Sequence, residues 1–414
     1  MSKRSLSKPK RILFASILIF MGVALGACAL EIGVRLAYPT SDFLWQWDPH
    51  IGMRLIPGKE GRSVKPGVFD VSVKVNSAGF RDREHVVANP AGIRRIALLG
   101  DSFLEAIQVP FEHSITSLLQ DRMPDREFLN FGVSGTGTAR QYLALRHYAL
   151  PYKPDVVALF FFAGNDISDN SRRLQGRPYV PYPIFTPTGR LALHASGEPI
   201  FSPFSDQSSR LSSVTGILKD YWKSYRLVRE LVDKSPAVHR ALYRAKLAST
   251  PQEAISSPAG DHFGFYEIYR PELRKDWNEA WVVTQDLLLA TRDLAISHGA
   301  EFFVVLIPAA WEACPEHWES ILKKFPAMRD ASLDTERPLT RFSMFLEANG
   351  VPFLNLLPAF RKDADKCQSL YVHDDAHWTS AGHALATELV APRFARLTER
   401  RMSEVHAEDG TTRK

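Results

Sequence analysis

Gly100-Asp101-Ser102 follows directly on the apolar run Ile96-Ala97-Leu98-Leu99, and a serine at the end of a buried strand can project its hydroxyl into a crevice. Its own backbone N–H then faces an incoming oxyanion, so Ser102 is the candidate nucleophile for acyl transfer. A helix-capping serine reads the same way in isolation, so the assignment depends on finding its partners. A base is offered where Leu370-Tyr371-Val372-His373-Asp374-Asp375-Ala376-His377-Trp378 leads into a helix beginning around Ser380. Asp374, three residues before His377, can reach Nδ1 across a single turn and hold the tautomer; Asp375 is the alternative orienter. His373 and His383 are the rival histidines. His383, His113 and His147 fall within predicted helices, and none of the four has an acid three positions earlier.

Oxyanion donors are offered by two further segments. Asn130-Phe131-Gly132-Val133-Ser134-Gly135-Thr136-Gly137 places three glycines after a strand, where Gly135 can turn its N–H to the crevice or simply form a turn before a helix. Ala163-Gly164-Asn165-Asp166 closes a third apolar run, and Asn165 can donate through its NH₂ where a carboxylate could not. An Asx turn is the competing reading of the same residues.

These segments need a scaffold that brings strand ends together. From residue 91 short apolar runs, Arg95–Leu99, Phe128–Phe131, Val156–Phe162, Phe302–Ile307 and Pro352–Leu356, alternate with predicted helices at 111–122, 138–149, 274–298, 338–348 and 380–398. That rhythm is the pattern of a parallel α/β sheet. Residues 31–90 read as a stalk and accessory strand segment, with Val71, Val73 and Val75 alternating with Ser72 and Lys74 before the turn Asn76-Ser77-Ala78-Gly79. The interval 168–265, proline-rich and then basic near 215–248, reads as an insertion, either a lid over the site or a surface decoration. The polar tail 401–414 is expected to be disordered.

Serine, glycine, asparagine and Asp-x-x-His thus stand in chain order at successive strand ends and before the last helix. The sequence resembles the SGNH/GDSL hydrolase family, whose blocks are matched by Gly100-Asp101-Ser102-Phe103, Asn130–Gly135, Ala163–Asp166 and Asp374–His377 over about 93–400. The resemblance implies a flavodoxin-like three-layer α/β/α sandwich, with Ser102 as nucleophile, His377 as base and Asp374 as its orienter. It implies an oxyanion hole from Ser102, Gly135 and Asn165, and chemistry that needs no metal or organic cofactor.

At 414 residues with 45% hydrophobic content, the chain can bury a substantial core. Five cations, Lys3, Arg4, Lys8, Lys10 and Arg11, account for the formal net charge of +5, which gives nucleic-acid binding little support. They form a basic tail, 1–11, ahead of the charge-free run Ile12–Leu30, which as a helix would span roughly 28 Å at about 1.5 Å per residue. A single-pass bacterial membrane anchor with everything after Glu31 on the extracytoplasmic, periplasmic side is expected. The competing reading is a lipoprotein signal at Leu25-Gly26-Ala27-Cys28. Outside the cytoplasm Cys314 and Cys367 can pair, or remain two separate thiols; neither has zinc-ligand spacing.

The expected function is that of an extracytoplasmic serine esterase acting on O-acyl, foremost O-acetyl, groups of a surface or exopolysaccharide glycan. An O-acyltransferase would use the same residues, and a non-catalytic, membrane-tethered glycan-binding or assembly component is a third reading. Trp378, beside His377, stacks on a sugar ring in one reading and belongs to the core in the other. The sequence says nothing of oligomeric state.

Overall fold

The computed structural model describes residues 8–37, 41–89, 92–177, 179–204, 222–225, 227–228, 263–362, 364–373 and 375–411. It divides into two units, one of residues 1–43, 64–66 and 208–249 and one of residues 44–63, 67–207 and 250–414. In the first unit, helix α1 (Lys8–Ala37) contains Ile12–Leu36, a stretch long and apolar enough to cross a membrane by length and composition. The helix does not stop at Glu31, because Arg35 one turn later pairs with that carboxylate at 2.7 Å. Glu31 also accepts the backbone N–H groups of Lys223 and Ser224, each at 2.9 Å. Most of the basic segment near 215–248 lies outside the described residues.

In the second unit, β1 (Trp45–Asp48) and β2 (Gly52–Leu55) form an antiparallel hairpin with Trp45 opposite Leu55. Asp48 closes its turn by accepting the N–H groups of His50 and Ile51, both at 2.9 Å. β3 (Glu60–Lys65), whose last two residues belong to the first unit, precedes β4 (Phe69–Lys74), in which Val71 and Val73 point inward with Val75, Leu44 and Leu55 while Ser72 and Lys74 face out.

The main sheet runs from β5 (Arg94–Leu99), followed by α2 (Ser102–Glu105) and α3 (Ile115–Arg122), to β6 (Arg126–Asn130) and α4 (Thr138–Ala144). β7 (Val156–Phe162), α5 (Asp166–Asp169), α6 (Arg172–Gln175) and α7 (Lys275–Ser297) come next. β8 (Glu301–Ile307), α8 (Ala310–Ala313), α9 (Pro315–Lys324), α10 (Arg337–Ala348) and β9 (Phe353–Asn355) complete the sheet. α11 (Leu357–Arg361), α12 (Ala364–Leu370) and α13 (Ser380–Thr411) end the described chain. The five strands are parallel in the order β6-β5-β7-β8-β9, with Ile96 flanked by Phe128 and Val156.

Every residue of β7 is buried, which explains its unbroken apolar sequence: a central parallel strand is covered on both faces and has no solvent side. On one face Phe161 packs against Phe342 of α10, which in turn meets Trp281 of α7. On the other, Phe128 and Phe303 pack against Phe394 of α13. These contacts define three layers.

Part of the proline-rich stretch folds into a small antiparallel meander bridged at Pro183 with Phe201, Phe185 with Leu191 and Leu193 with Pro199, and its Leu191 packs on Val283 and Leu287 of α7. α13 extends as helix past residue 401 to Thr411. Cys314 and Cys367 are joined in a disulfide with Cα atoms 5.7 Å apart, which ties the start of α9 to α12 just before the His377 segment.

Candidate active site

Ser102 is the first residue of α2, and Asp101 caps that helix by accepting the Phe103 N–H at 2.9 Å. The helix is a single turn because Ala106 adopts a left-handed conformation, φ 52°, held where buried Arg81 donates to the carbonyls of Glu105 at 3.1 Å and of Ala106. The serine therefore sits rigidly at the carboxyl end of β5.

His377 lies on a closed loop rather than a helix. Tyr371 bridges Trp378, and the Val372 N–H donates to the His377 carbonyl at 2.8 Å. This closure brings His377 Nε2 to 2.6 Å from Ser102 Oγ. On the other side of the ring Nδ1 contacts Asp375 Oδ1, which also accepts the His377 N–H at 3.1 Å. A carboxylate at Nδ1 requires the proton there, leaving the Nε2 lone pair for the serine hydroxyl.

Among the described residues the acid at Nδ1 is Asp375, the alternative orienter; Asp374, the first choice from the spacing, lies outside the described residues. In this closed loop a residue two positions back folds its carboxylate onto both the ring and the backbone of His377.

The rival histidines are placed elsewhere. His383 is buried and accepts the Ile115 N–H at 3.3 Å, and burial pushes its pKa down to about 3. His113 Nδ1 lies 3.0 Å from Ser380 Oγ, His147 stacks on His50 with ring centres 4.0 Å apart, and His373 is exposed. Trp378 is 0% exposed, packed between Phe103 and Phe360, so it supports the His377 loop from the core instead of offering a face to a sugar.

Gly135, after β6, has φ +66°, in the left-handed region that favours glycine. Its carbonyl is taken by Arg140 Nη1 at 2.6 Å and Arg177 Nη1 at 3.2 Å. Asn165, after β7, directs Nδ2 to Asp169 Oδ2 at 2.9 Å, while its Oδ1 is buried without a hydrogen-bond partner.

Buried acids underlie this edge. Burial pushes the Asp101 carboxyl up to about 7 and holds Asp166 well above the ordinary carboxylate range. Asp169 is raised by burial too, opposed by the charge of Arg177, the Asn165 hydrogen bond and the charge of Arg140. Burial likewise raises Glu105, against the pull of the Ser134 N–H that it accepts at 2.6 Å. Arg140, Asp169 and Glu105 were not singled out from the sequence. Asp169, one helical turn beyond Asn165, and Arg140, five residues beyond Gly135, carried usable spacing signals; Glu105 owes its role to a contact with Ser134 distant in sequence. A separate cavity of about 610 Å³, lined by residues including Tyr142, Arg190, Asp286 and His298, contains none of the catalytic candidates.

A helix-flanked parallel sheet, with serine following β5 and histidine preceding the last helix, is the arrangement expected from the resemblance to SGNH/GDSL hydrolases. More particularly, residues 279–414 match the family described as the SGNH hydrolase-like domain of the acetyltransferase AlgX, a stretch that includes His377 but not Ser102. No curated protein matches the sequence. Similar solved structures include a GDSL-like lipase from Bacteroides thetaiotaomicron at 12% identity, covering 75% of this chain and 92% of that one with a TM-score of 0.36. A lipase/acylhydrolase from Enterococcus faecalis shares 12% identity over 72% of this chain and 94% of its own, TM-score 0.34. An acetyl xylan esterase shares 12% over 72% and 97%, TM-score 0.35.

Proposed function

We propose that the protein is an extracytoplasmic serine esterase that removes ester-linked acyl groups, foremost O-acetyl, from a surface or exopolysaccharide glycan. The observation that carries this reading is the 2.6 Å approach of His377 Nε2 to Ser102 Oγ, with an acid on the opposite ring nitrogen. His377 takes the serine proton as Oγ attacks the ester carbonyl, and the resulting oxyanion is held by the N–H groups of Ser102 and Gly135 and by Asn165 Nδ2. Collapse expels the sugar alkoxide, which receives the proton from His377. Water then attacks the acyl-enzyme under the same base and releases the acid with free Ser102.

An oxidising compartment suits the Cys314–Cys367 disulfide, and the apolar stretch Ile12–Leu36 supplies a means of membrane attachment or export. Cys28, exposed on that helix and unpaired, leaves lipidation as the alternative form of anchoring.

The match to an acetyltransferase domain favours a second reading, in which a glycan hydroxyl rather than water resolves the acyl-enzyme. Acetate release from an O-acetylated sugar, measured with and without an acceptor glycan, separates the two. Esterase action predicts release in the absence of acceptor; transfer with no detectable hydrolysis makes the transferase reading the correct one. Absence of both, in protein that folds, would leave the non-catalytic reading.

A further inference from the structure

Gly135 and Asn165 come from different strands, and an oxyanion hole works only if both point at the same place. Each is held by a charged residue outside the reacting group. On the β6 side, Glu105 Oε2 accepts the Ser134 N–H at 2.6 Å, and Trp45 Nε1 steadies Glu105 Oε1 at 3.0 Å. One residue further on, Arg140 Nη1 takes the Gly135 carbonyl at 2.6 Å. The Ser134–Gly135 peptide, which carries the Gly135 N–H, therefore lies between two neighbouring peptides that are each pinned. Arg140 is itself buried and anchored by its Nε to the Ile51 carbonyl at 2.6 Å and its Nη2 to the Met53 carbonyl at 3.0 Å.

On the β7 side the difficulty is chemical. An asparagine amide can present its oxygen or its nitrogen to the crevice, and only nitrogen can donate. Asp169 Oδ2, 2.9 Å from Asn165 Nδ2, removes that ambiguity, because an ionised carboxylate offers no proton to an amide oxygen. Asn165 Oδ1 is left buried and unpartnered in this orientation, so the amide has not simply turned to satisfy its own oxygen. Asp169 is 6% exposed; burial raises its pKa, opposed by the charge of Arg177, the Asn165 hydrogen bond and the charge of Arg140. The two sides are pressed together at Gly137, where a Cβ would stand 2.9 Å from Asp169 Cβ and 2.6 Å from the Asp166 carbonyl.

We propose that Asp169 and Arg140 are positioning residues for the oxyanion hole: Asp169 selects the donating orientation of Asn165, and Arg140 fixes the peptide of Gly135. The inference rests on the Ser102 acyl-enzyme reading and assigns to that mechanism two groups that touch no substrate atom.

The test is a double-mutant cycle with p-nitrophenyl acetate on the full chain. Asn165→Ala should lower kcat by about a hundredfold. Asp169→Asn, nearly isosteric but able to donate to Oδ1 and so release the amide, should lower kcat by roughly tenfold with KM unchanged. In the Asn165→Ala background Asp169→Asn should have almost no further effect. Equal losses in both backgrounds, or a change confined to KM, would overturn the proposal. Should Asp169→Asn fail to fold, Asp169→Ser completes the same cycle. Ser102→Ala distinguishes the two levels: undiminished turnover there defeats the acyl-enzyme reading itself, whereas Ser102-dependent turnover with additive Asp169 and Asn165 losses defeats only the positioning role.

Discussion

The interior of the main sheet and its carboxyl edge are built from opposite materials. β7 buries Val156 to Phe162 without a polar side chain, whereas the edge a few residues away buries Asp101, Asp166, Asp169, Glu105 and Arg140. The first arrangement lowers the free energy of the fold through apolar burial; the second raises it by desolvating charge. The edge persists because the layers behind it over-determine its geometry, as expected of a site in which donors and acceptors must be aligned before substrate arrives. The contrast predicts that substitutions in the interior lower stability, whereas those at the edge alter turnover and, where they remove a buried charge, raise stability.

The largest effect should follow His377→Ala, which removes the imidazole that contacts Ser102 Oγ: kcat should fall on the order of 10⁴-fold or more while the melting temperature stays close to that of the parent. Steady-state kinetics beside thermal unfolding would check it, and a small kinetic loss would break the edge half of the contrast. Asp375→Asn should cost about 10³-fold in kcat by freeing the imidazole from its tautomer. Asp374→Asn should change it by no more than a few fold. A reversed ranking of these two would return the orienting role to Asp374.

Phe161→Ala probes the other half. Loss of a ring packed on Phe342 should destabilise the protein by about 3–5 kcal/mol in denaturant titration, with folded material retaining its turnover. The smallest effect belongs to Asp101→Asn. The folded-state pKa of this acid, raised by burial to about 7, exceeds its unfolded value, so the folded chain binds the proton more tightly. Stability associated with Asp101 is then full at low pH and lost as pH rises toward and through 7. Asparagine keeps the cap on Phe103 and carries no charge to desolvate, so the variant should melt a few degrees higher at pH 8 and nearly unchanged at pH 4. A destabilised variant at pH 8 would contradict the buried-charge account of the edge.

The same contrast explains what was legible in the sequence. β5, β7 and β8 read correctly as apolar runs because strands buried on both faces leave an uninterrupted signature. β6 starts at Arg126 and Glu127, two residues before its apolar run, since backbone pairing with β5 extends over residues whose side chains reach solvent. The lead-in was legible only at Val71, Val73 and Val75; β1 and β2 are four residues each, too short to show a period. At the site, Ser102, Gly135, Asn165 and His377 stood out because strand ends and glycine clusters mark them locally. Asp375 was the alternative to Asp374, which lies outside the described residues, and Glu105 reaches Ser134 across 29 residues of chain, a separation no local pattern encodes.

The central claim is that Ser102 is a nucleophile activated by His377. Labelling of the detergent-solubilised full chain with a fluorophosphonate, followed by peptide mass mapping, tests it directly. The account predicts a single adduct on Ser102 that is absent from Ser102→Ala and strongly slowed in His377→Ala. Equal labelling of the parent and Ser102→Ala would contradict it.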